Sequence, residues 1–395
     1  MKQTLYTHQK TWAFVRAVML LGIILTMYGL YIDFRVSFLR GLSVREIFWM
    51  ILMPAVVLTM YFAPMLWRNS CPLATVSLWR YLLFGRRRLS EIGIKANELT
   101  GLHGKLYQLI RKRGLLISAL LFWAIVPYRL IIFNADSQSL FWLLIWVFGG
   151  AFIFGALFPV KSGWCTSICP VAAAEKIYGM NPAFAVKNNR CHFFDKTQGK
   201  VMSCSGCSFN CGDVIDPENA YWQQALEKVF HNVLNAEVRK IFLATLPGFM
   251  AMFFLLANKV IMLPKAPLMT KVGALYGYMA LGMLVSWVGY IILKKLAWQG
   301  IVRETVVSQE REVAYAIAKR RIELFIMTFS LNIIVFATTY SWAYVLYPKF
   351  FGPDIVAQGV LWTVVYFIFF FISFFGLRAG WNEKPGLGNY RPSWW

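Results

Sequence analysis

The stretch Leu140–Val160 reads LFWLLIWVFGGAFIFGALFPV and contains no charged residue. A bilayer core of about 30 Å requires about 20 consecutive apolar residues in a helix, so this stretch is long enough to cross a membrane. The sequence contains seven further runs of the same character. It therefore predicts an all-α polytopic membrane protein with about eight transmembrane helices, the others being Trp12–Ile32, Ile47–Leu66, Leu115–Phe133, Ile241–Leu263, Val272–Leu293, Ile322–Tyr347 and Gly359–Leu377.

The composition of the 395-residue chain agrees with this class, because 58% of its residues are hydrophobic and only 15% are charged. The net charge is +22, and the basic residues concentrate in three predicted loops, 67–113, 161–240 and 294–321. Basic loops mark the cytoplasmic side of membrane proteins. We therefore expect a multi-pass protein of a bacterial-type inner (cytoplasmic) membrane with both termini in the cytoplasm. Nucleic acid is not an expected partner, since no surface of interleaved aromatic and basic residues is visible.

Six of the seven cysteines lie in the second basic loop. The cytosol keeps thiols reduced, so close cysteine spacing there favours metal or cluster ligation over disulfides. The spacing Cys204-x2-Cys207-x3-Cys211 matches the last three positions of the bacterial ferredoxin motif, and Cys191 is the natural fourth ligand. We therefore predict a [4Fe-4S] cluster in a cytoplasmic iron–sulfur loop between helices 4 and 5. The predicted regions are a membrane region of two hairpins (1–160), this loop with a helix (161–240) and a C-terminal four-helix membrane region (241–395).

A second cysteine pattern occurs twice. Cys71-Pro72 follows the second predicted span, and Cys169-Pro170 follows the fourth. Cys165 precedes Cys169 by four residues, whereas Trp67 precedes Cys71 by four. This pattern predicts two related hairpin units, of which the first lacks one cysteine.

The ligand assignment stays open at this point. One arrangement places a single cluster on Cys191, Cys204, Cys207 and Cys211, and a possible second cluster, with an additional ligand, on Cys71, Cys165 and Cys169. In the other arrangement the sets interleave, with Cys169 completing a cluster on Cys191, Cys204 and Cys207. A four-cysteine zinc site is the structural alternative, because zinc also binds C-x2-C pairs.

The motif Trp164-Cys165-x3-Cys169-Pro170, followed by the ferredoxin-like segment, resembles the membrane-bound ferredoxin-type proteins of the NapH/NosR/CcoG group. The resemblance covers the N-terminal half of the chain. It implies [4Fe-4S] clusters on the cytoplasmic face and electron transfer to or from the membrane. The chain departs from this group in its reduced first motif, in the lack of two complete ferredoxin motifs and in the four additional spans.

These observations predict a membrane-bound iron–sulfur protein that passes electrons between a cytosolic donor and a membrane acceptor, such as a quinone, a partner subunit in a larger membrane complex or a cofactor. Basic residues of the cysteine loop could attract an acidic ferredoxin or flavodoxin, among them Lys187, Arg190, Lys196 and Lys200. Basic loops also contact anionic lipid. The alternative is a transporter, or an assembly or maturation factor for metalloenzymes, with a regulatory or structural cluster.

Two further predictions concern the membrane region. Haem b is not expected, because none of the four histidines lies within a predicted span. Arg129 lies near the outer end of the third span, where it either extends to the membrane surface or lines a polar or quinone-headgroup pocket. No catalytic residue is assigned, and oxidoreductase chemistry is favoured over hydrolysis or group transfer.

Overall fold

Among the residues that the structure describes, eight helices are long and apolar enough to cross a membrane, which confirms the predicted all-α polytopic class. They were identified in a computed structural model that describes residues 9–37, 41–62, 67, 70–80, 101–158, 164–178, 191–195, 200–204, 233–304 and 308–382. The candidate spans are Ala13–Tyr31, Val44–Phe62, Arg113–Phe133, Ser137–Leu157, Glu237–Ala257, Leu268–Gln299, Arg321–Phe351 and Ile355–Arg378.

The helices follow in chain order and are interrupted at several points by π-helical turns. In the N-terminal half they are α1 (Gln9–Tyr31), α2 (Val44–Ile47, a π-helical turn Phe48–Leu52 and Met53–Phe62), α3 (Pro72–Ser77), α4 (Gly101–Tyr128, then a π-helical turn Arg129–Phe133), α5 (Ser137–Leu157) and α6 (Ala172–Tyr178, preceded by a π-helical turn Trp164–Ile168). In the C-terminal half they are α7 (Val233–Ala257), α8 (Leu268–Glu304), α9 (Ser308–Ser341, then a π-helical turn Trp342–Leu346), α10 (Tyr347–Phe351) and α11 (Ile355–Asn382).

Two short antiparallel hairpins complete the described structure. The first joins β1 (Arg35–Val36) to β2 (Leu42–Ser43) between α1 and α2. The second joins β3 (Cys191–Asp195) to β4 (Lys200–Cys204) in the cysteine loop. The stretch Asp216-Pro217-Glu218, whose residues are typical of a helix start, lies outside the described residues.

Two predicted span ends in the C-terminal half are misplaced, and one of them is that of the sixth span, which was predicted to end at Leu293 and continues to Gln299. The fifth span was predicted to continue to Leu263, but α7 ends at Ala257. Lys259 has a left-handed backbone with φ of 58°, which a helix cannot contain, so the apolar residues after it form a loop. Hydropathy cannot place this end, because the loop is itself apolar.

Three of the π-helical turns, those in α2, α4 and α9, are joined across the bundle by hydrogen bonds from tryptophan side chains. The Trp49 indole Nε1 donates a hydrogen bond to the Phe133 carbonyl at 3.2 Å, and the Trp342 Nε1 donates to the Met50 carbonyl at 2.6 Å. A π-helical turn displaces carbonyls from the regular ladder and leaves them open to outside donors. These bonds join α2, α4 and α9 within the membrane region.

Two hydrogen bonds between buried hydroxyl groups connect the two halves of the chain. The Tyr61 hydroxyl of α2 lies 3.0 Å from Thr328 Oγ1, and the Tyr178 hydroxyl of α6 lies 2.8 Å from Ser330 Oγ. Both tyrosines are almost completely buried, and their rings contact each other at a centroid distance of 6.2 Å. The α9 helix therefore joins the cysteine-bearing half through hydroxyl pairs, while α7 contacts the same half through aromatic rings, among them Phe242 against Phe122 of α4.

Candidate functional site

The first Cys-Pro turn is a compact structure at the end of the second span. The Cys71 N–H donates to the Trp67 carbonyl at 2.7 Å, and Cys71 is the N-cap residue of α3 with Pro72 in the first turn. Thr75 donates to the Cys71 carbonyl from both its N–H and its hydroxyl. Proline is well suited to the first helical position, because its missing N–H would have had no partner there.

The second Cys-Pro turn repeats this arrangement after the fourth span. The Cys169 N–H donates to the Trp164 carbonyl at 3.0 Å, and the Ala172 N–H donates to the Cys169 carbonyl at 2.9 Å. The fully buried Ser118 of α4 donates its hydroxyl to the Cys169 carbonyl at 2.6 Å and accepts the Ala173 N–H at 2.9 Å. Ser118 thus satisfies two backbone groups at the start of α6.

The hydrogen bonds match Trp67 with Trp164, and this corrects the sequence comparison, which set Trp67 opposite Cys165. Trp67 is four residues before Cys71, whereas Trp164 is five residues before Cys169. The additional residue is accommodated by the π-helical turn Trp164–Ile168, which contains Cys165. A π-helical turn arises when one residue is inserted into a helix. The first turn therefore has no position equivalent to Cys165, rather than a tryptophan in its place.

The two turns bring three cysteines from distant parts of the chain together. Cys165 packs against the core cluster that contains Cys71 and against the one that contains Cys169. Its Sγ also lies 3.6 Å from the Ser77 hydroxyl of α3. Cys71 and Cys169 are both buried. The predicted grouping of Cys71, Cys165 and Cys169 is therefore a spatial neighbourhood in the structure.

The electrostatics of this neighbourhood disfavour free thiolates. Burial raises the pKa of the Cys71 thiol to about 12, with a further contribution from the negative charge that Cys165 would carry. Burial also raises the pKa of Cys169 well above its usual value, and repulsion from Cys165 and Cys71 adds to this effect. The carboxylate of Glu175 in α6 contributes in the same direction to both. Uncompensated negative charge is thus costly here, and a bound cation would remove that cost.

The donor chemistry fits a soft metal or an iron–sulfur cluster, whose ligands are cysteine thiolates. The side-chain positions do not by themselves indicate a metal site. Within the described ranges, no group of three or more His, Cys, Asp or Glu side chains has an arrangement that could hold a metal ion. The three cysteines are therefore neighbours without forming a ready coordination sphere.

The ferredoxin-like segment is described only in part. In the β3–β4 hairpin, Cys191 and Cys204 are Cα partners in the antiparallel register. This pairing brings two of the four predicted cluster residues together in the backbone. Cys207 and Cys211 lie outside the described residues, as do Lys187, Arg190 and Lys196, while Lys200 begins β4.

Arg129 occupies an aromatic environment at the start of its π-helical turn. Its guanidinium carbon lies 4.3 Å from the centre of the Trp49 ring and 5.4 Å from that of Phe253. Its Nε donates to the Asn134 side chain at 3.1 Å. These contacts stabilise the junction of α2, α4 and α7 through cation–π interactions.

Sequence reasoning missed Ser118, Ser77 and Glu175 as neighbours of the cysteines. Ser118 is 51 residues from its partner Cys169, and Ser77 is 88 residues from Cys165. A single serine in an apolar span carries no local signal for such a contact. The neighbours could be identified only once the packing of α3, α4 and α6 was known.

The fold and these turns define a multi-pass membrane protein in which two Cys-Pro turns converge at the ends of the second and fourth spans. Comparisons of the chain with protein-family models, with curated proteins and with solved structures found no match.

Proposed function

We propose that this protein is a membrane-bound iron–sulfur electron-transfer protein that passes electrons between a cytosolic donor and a membrane acceptor. The observation that carries the proposal is the convergence of Cys71, Cys165 and Cys169 from two separate Cys-Pro turns. A stability role alone gives no reason for two buried thiols, the partly buried thiol of Cys165 and a carboxylate to share one neighbourhood, since each raises the cost of ionising the others. Thiolate ligation of iron removes that cost.

The ferredoxin-like segment is proposed to hold one [4Fe-4S] cluster on Cys191, Cys204, Cys207 and Cys211. The three cysteines of the Cys-Pro turns would hold a second, with an additional ligand. Such clusters supply one-electron transfer. In this arrangement the loop receives electrons, and the buried turns at the membrane boundary pass them on.

The residues around the Cys-Pro turns have a positioning role in this proposal. Ser118 and Thr75 fix the carbonyls of Cys169 and Cys71, and the buried rings of Trp67 and Trp164 limit access of water. Limiting water around a redox site alters its potential and protects it from side reactions.

The deciding experiment is anaerobic purification of the full chain, with iron and acid-labile sulfide determined per chain and EPR spectra recorded after reduction. We expect about four irons for one [4Fe-4S] cluster and about eight for two. If both clusters are present, Cys165→Ser with Cys169→Ser should remove one EPR signal and leave the signal of the loop cluster.

Ser70→Ala is the matched control, because Ser70 is buried beside Cys71 and the variant keeps all seven thiols. Its iron content should equal that of the wild type. Zinc without acid-labile sulfide would contradict the proposal and favour the zinc alternative.

The proposed donor can be tested through charge. The three basic loops favour a cytoplasmic orientation of the cysteine loop, in which Lys187, Arg190, Lys196 and Lys200 attract an acidic ferredoxin or flavodoxin. Reversing these four charges should lower the rate at which reduced flavodoxin reduces the protein and weaken the salt dependence of that rate. An unchanged rate and salt dependence would place the donor contact elsewhere.

A further inference from the structure

A long apolar groove runs along the C-terminal half, between α7, α9 and α11. Its volume is about 670 Å³. Along α9 its wall extends from Phe325 to Tyr340, a distance of about 22 Å at 1.5 Å per residue. The groove lies within membrane-spanning segments except at Asn258 and Val260, and its wall contains no charged side chain. Its length and lining suit an extended hydrocarbon chain.

A cation–π pair lies one helical turn beyond one end of the groove. Arg321 precedes the wall residue Phe325 by four residues in α9, and Trp381 follows the wall residue Leu377 by four in α11. Residues four apart lie on one helix face, so both side chains continue the groove by one turn. The Arg321 guanidinium carbon lies 4.9 Å from the centre of the Trp381 ring.

Arg321 retains hydrogen-bonding capacity at this position. Its Nε is buried and donates no hydrogen bond among the residues that the structure describes. A buried donor without an acceptor costs about 1–3 kcal/mol, so an acceptor from a bound molecule would be stabilising. A guanidinium is also the side chain best shaped to bind a phosphate through two parallel hydrogen bonds.

Further basic side chains lie at the end of the bundle where α9 carries Arg321. Lys319 interacts electrostatically with Arg239, Lys240 and Lys294 of the adjoining helices. Glu323 pairs with Arg239 at 3.1 Å and with Lys319 at 3.8 Å. Because the basic side chains outnumber the carboxylates among these described residues, this end of α7, α8 and α9 is electropositive. Basic sites between membrane helices attract anionic lipid headgroups.

We propose that this groove binds a phospholipid with an anionic headgroup. One acyl chain lies along α9 and α11, and the phosphate lies at Arg321, where it accepts the hydrogen bond that Nε offers. The charge at Arg321 selects the headgroup, and the apolar wall holds the chain. This inference does not depend on the presence of iron–sulfur clusters.

The test measures lipid binding to the full-length protein in detergent by native mass spectrometry, with phosphatidylglycerol and phosphatidylcholine of identical acyl chains. We expect the wild type to bind phosphatidylglycerol more tightly. Arg321→Gln should weaken phosphatidylglycerol binding by about tenfold, as for the loss of a charge-assisted hydrogen bond, and leave phosphatidylcholine binding unchanged.

Lys259→Asn is the matched control. Lys259 is exposed and adjoins Asn258 and Val260, which line the opposite end of the groove. Asparagine also tolerates its left-handed backbone. Phosphatidylglycerol binding should be unchanged in this variant. If Lys259→Asn removes the preference and Arg321→Gln does not, the headgroup lies at the other end and the proposal is wrong.

A second measurement uses the wild type alone, so that it does not depend on the folding of a variant. Phosphatidylglycerol with a photoreactive diazirine in its acyl chain should cross-link to the groove wall, at peptides that contain Phe329 or Phe370. Cross-links confined to other helices would contradict the proposed site. Equal binding of both lipids, or a tightly bound isoprenoid quinone in their place, would contradict it as well.

Discussion

The residue that most distinguishes the two Cys-Pro turns is Cys165. The hydrogen bonds of the turns match tryptophan with tryptophan and cysteine with cysteine, so Cys165 is the additional residue of a π-helical turn. An inserted residue changes the direction of the side chains near it, and π-helical turns occur frequently at functional sites. In this protein the insertion places a third sulfur between two buried cysteines. In the proposed function, this sulfur is one of the three that would hold the second cluster.

Gly150 controls the position of this turn. A Cβ atom at Gly150 of α5 would lie 2.6 Å from the Trp164 ring, closer than real contacts allow. Gly150→Ala should therefore displace Trp164 and lower the free energy of unfolding by about 1–3 kcal/mol. Gly149→Ala is the matched control, because nothing lies within 4 Å of its Cβ, and this helical alanine should be neutral or stabilising.

The measurement for this pair is the thermal unfolding temperature of the purified protein in detergent, with iron content recorded on the same samples. We expect the Gly150 variant to lose both stability and metal. Equal stability of the two variants would mean that Trp164 moves without cost and that Gly150 does not position the turn.

Lys319 gives the stability a defined pH dependence. Burial lowers its pKa from 10.5 to about 7, although Glu323 opposes the shift. Between these two values the unfolded chain binds a proton that the folded chain does not. The contribution of Lys319 to the free energy of unfolding therefore rises with pH from about 7 to about 10.5. Below about pH 7 the lysine is charged in both states, and the folded state bears the full cost of burying that charge.

Lys319→Met should remove this dependence. Unfolding temperatures should be measured from about pH 6 to about pH 10, a range set by the lowered and ordinary pKa values. The unfolding temperature of the wild type should rise relative to that of the variant as the pH increases. Lys295→Met, at an exposed lysine of α8, should keep a constant difference from the wild type. A constant difference for Lys319→Met would indicate that Lys319 keeps an ordinary pKa.

At the scale of the helices, α7 and α8 owe their close contact to a glycine pair. A Cβ atom at Gly248 would collide with the Gly282 carbonyl, and one at Gly282 would lie 2.5 Å from the Gly248 carbonyl. The Ser286 hydroxyl donates to the Ala244 carbonyl across the same interface at 2.6 Å. Small residues allow membrane helices to approach closely, where dispersion forces and interhelical hydrogen bonds hold them.

Gly248→Ala should push α7 away from α8 and destabilise the C-terminal half. The obstacle is backbone, so no side-chain rotation relieves it, and we expect a loss of about 1–3 kcal/mol. Gly289→Ala in α8 is the control, since its Cβ meets nothing within 4 Å. Reversible unfolding in mixed detergent would measure both, and equal losses would contradict the proposed role of the glycine pair.

At the scale of the whole molecule, α9 is one of the helices that join the cysteine-bearing half to the C-terminal half, together with α7. Tyr61 and Tyr178 come from helices on either side of the first Cys-Pro turn in the sequence, yet both reach hydroxyls on one turn of α9. The Lys349–Glu46 ion pair, at 2.6 Å, adds a contact between the halves near the opposite end of the spans. The eight helices therefore do not form two independent bundles.

A double-mutant cycle would measure this junction. Tyr61→Phe and Thr328→Val should each destabilise the protein by about 1 kcal/mol, and the coupling between them should be about 0.6 kcal/mol, typical of membrane interhelical hydrogen bonds. Tyr28→Phe, at an exposed tyrosine of α1, should have no measurable effect. Zero coupling in the cycle would show that the two hydroxyls do not bond across the halves.

The sequence by itself determined the number of spans and the places where chemistry should be sought. The length of an apolar run is a local property, and the membrane imposes a fixed length on it, so eight spans could be counted without knowledge of their packing. The repeated Cys-Pro pattern is also a local feature. Proline is favoured at the first position of a helix because its missing N–H would have no partner there, so the pattern indicates a helix start without knowledge of the packing.

Only the tertiary structure decided which residues meet. The contacts of Ser77 and Ser118 with the cysteine turns, the matching of Trp67 with Trp164, and the groove along α9 depend on how helices far apart in sequence pack together. Most faces of a transmembrane helix are apolar whether they contact lipid or protein, so hydrophobicity does not distinguish one packing from another. The packing is determined by close glycine contacts, by hydrogen bonds of buried hydroxyls and by a single inserted residue. The residues that these groups contact lie tens to hundreds of positions away in the sequence.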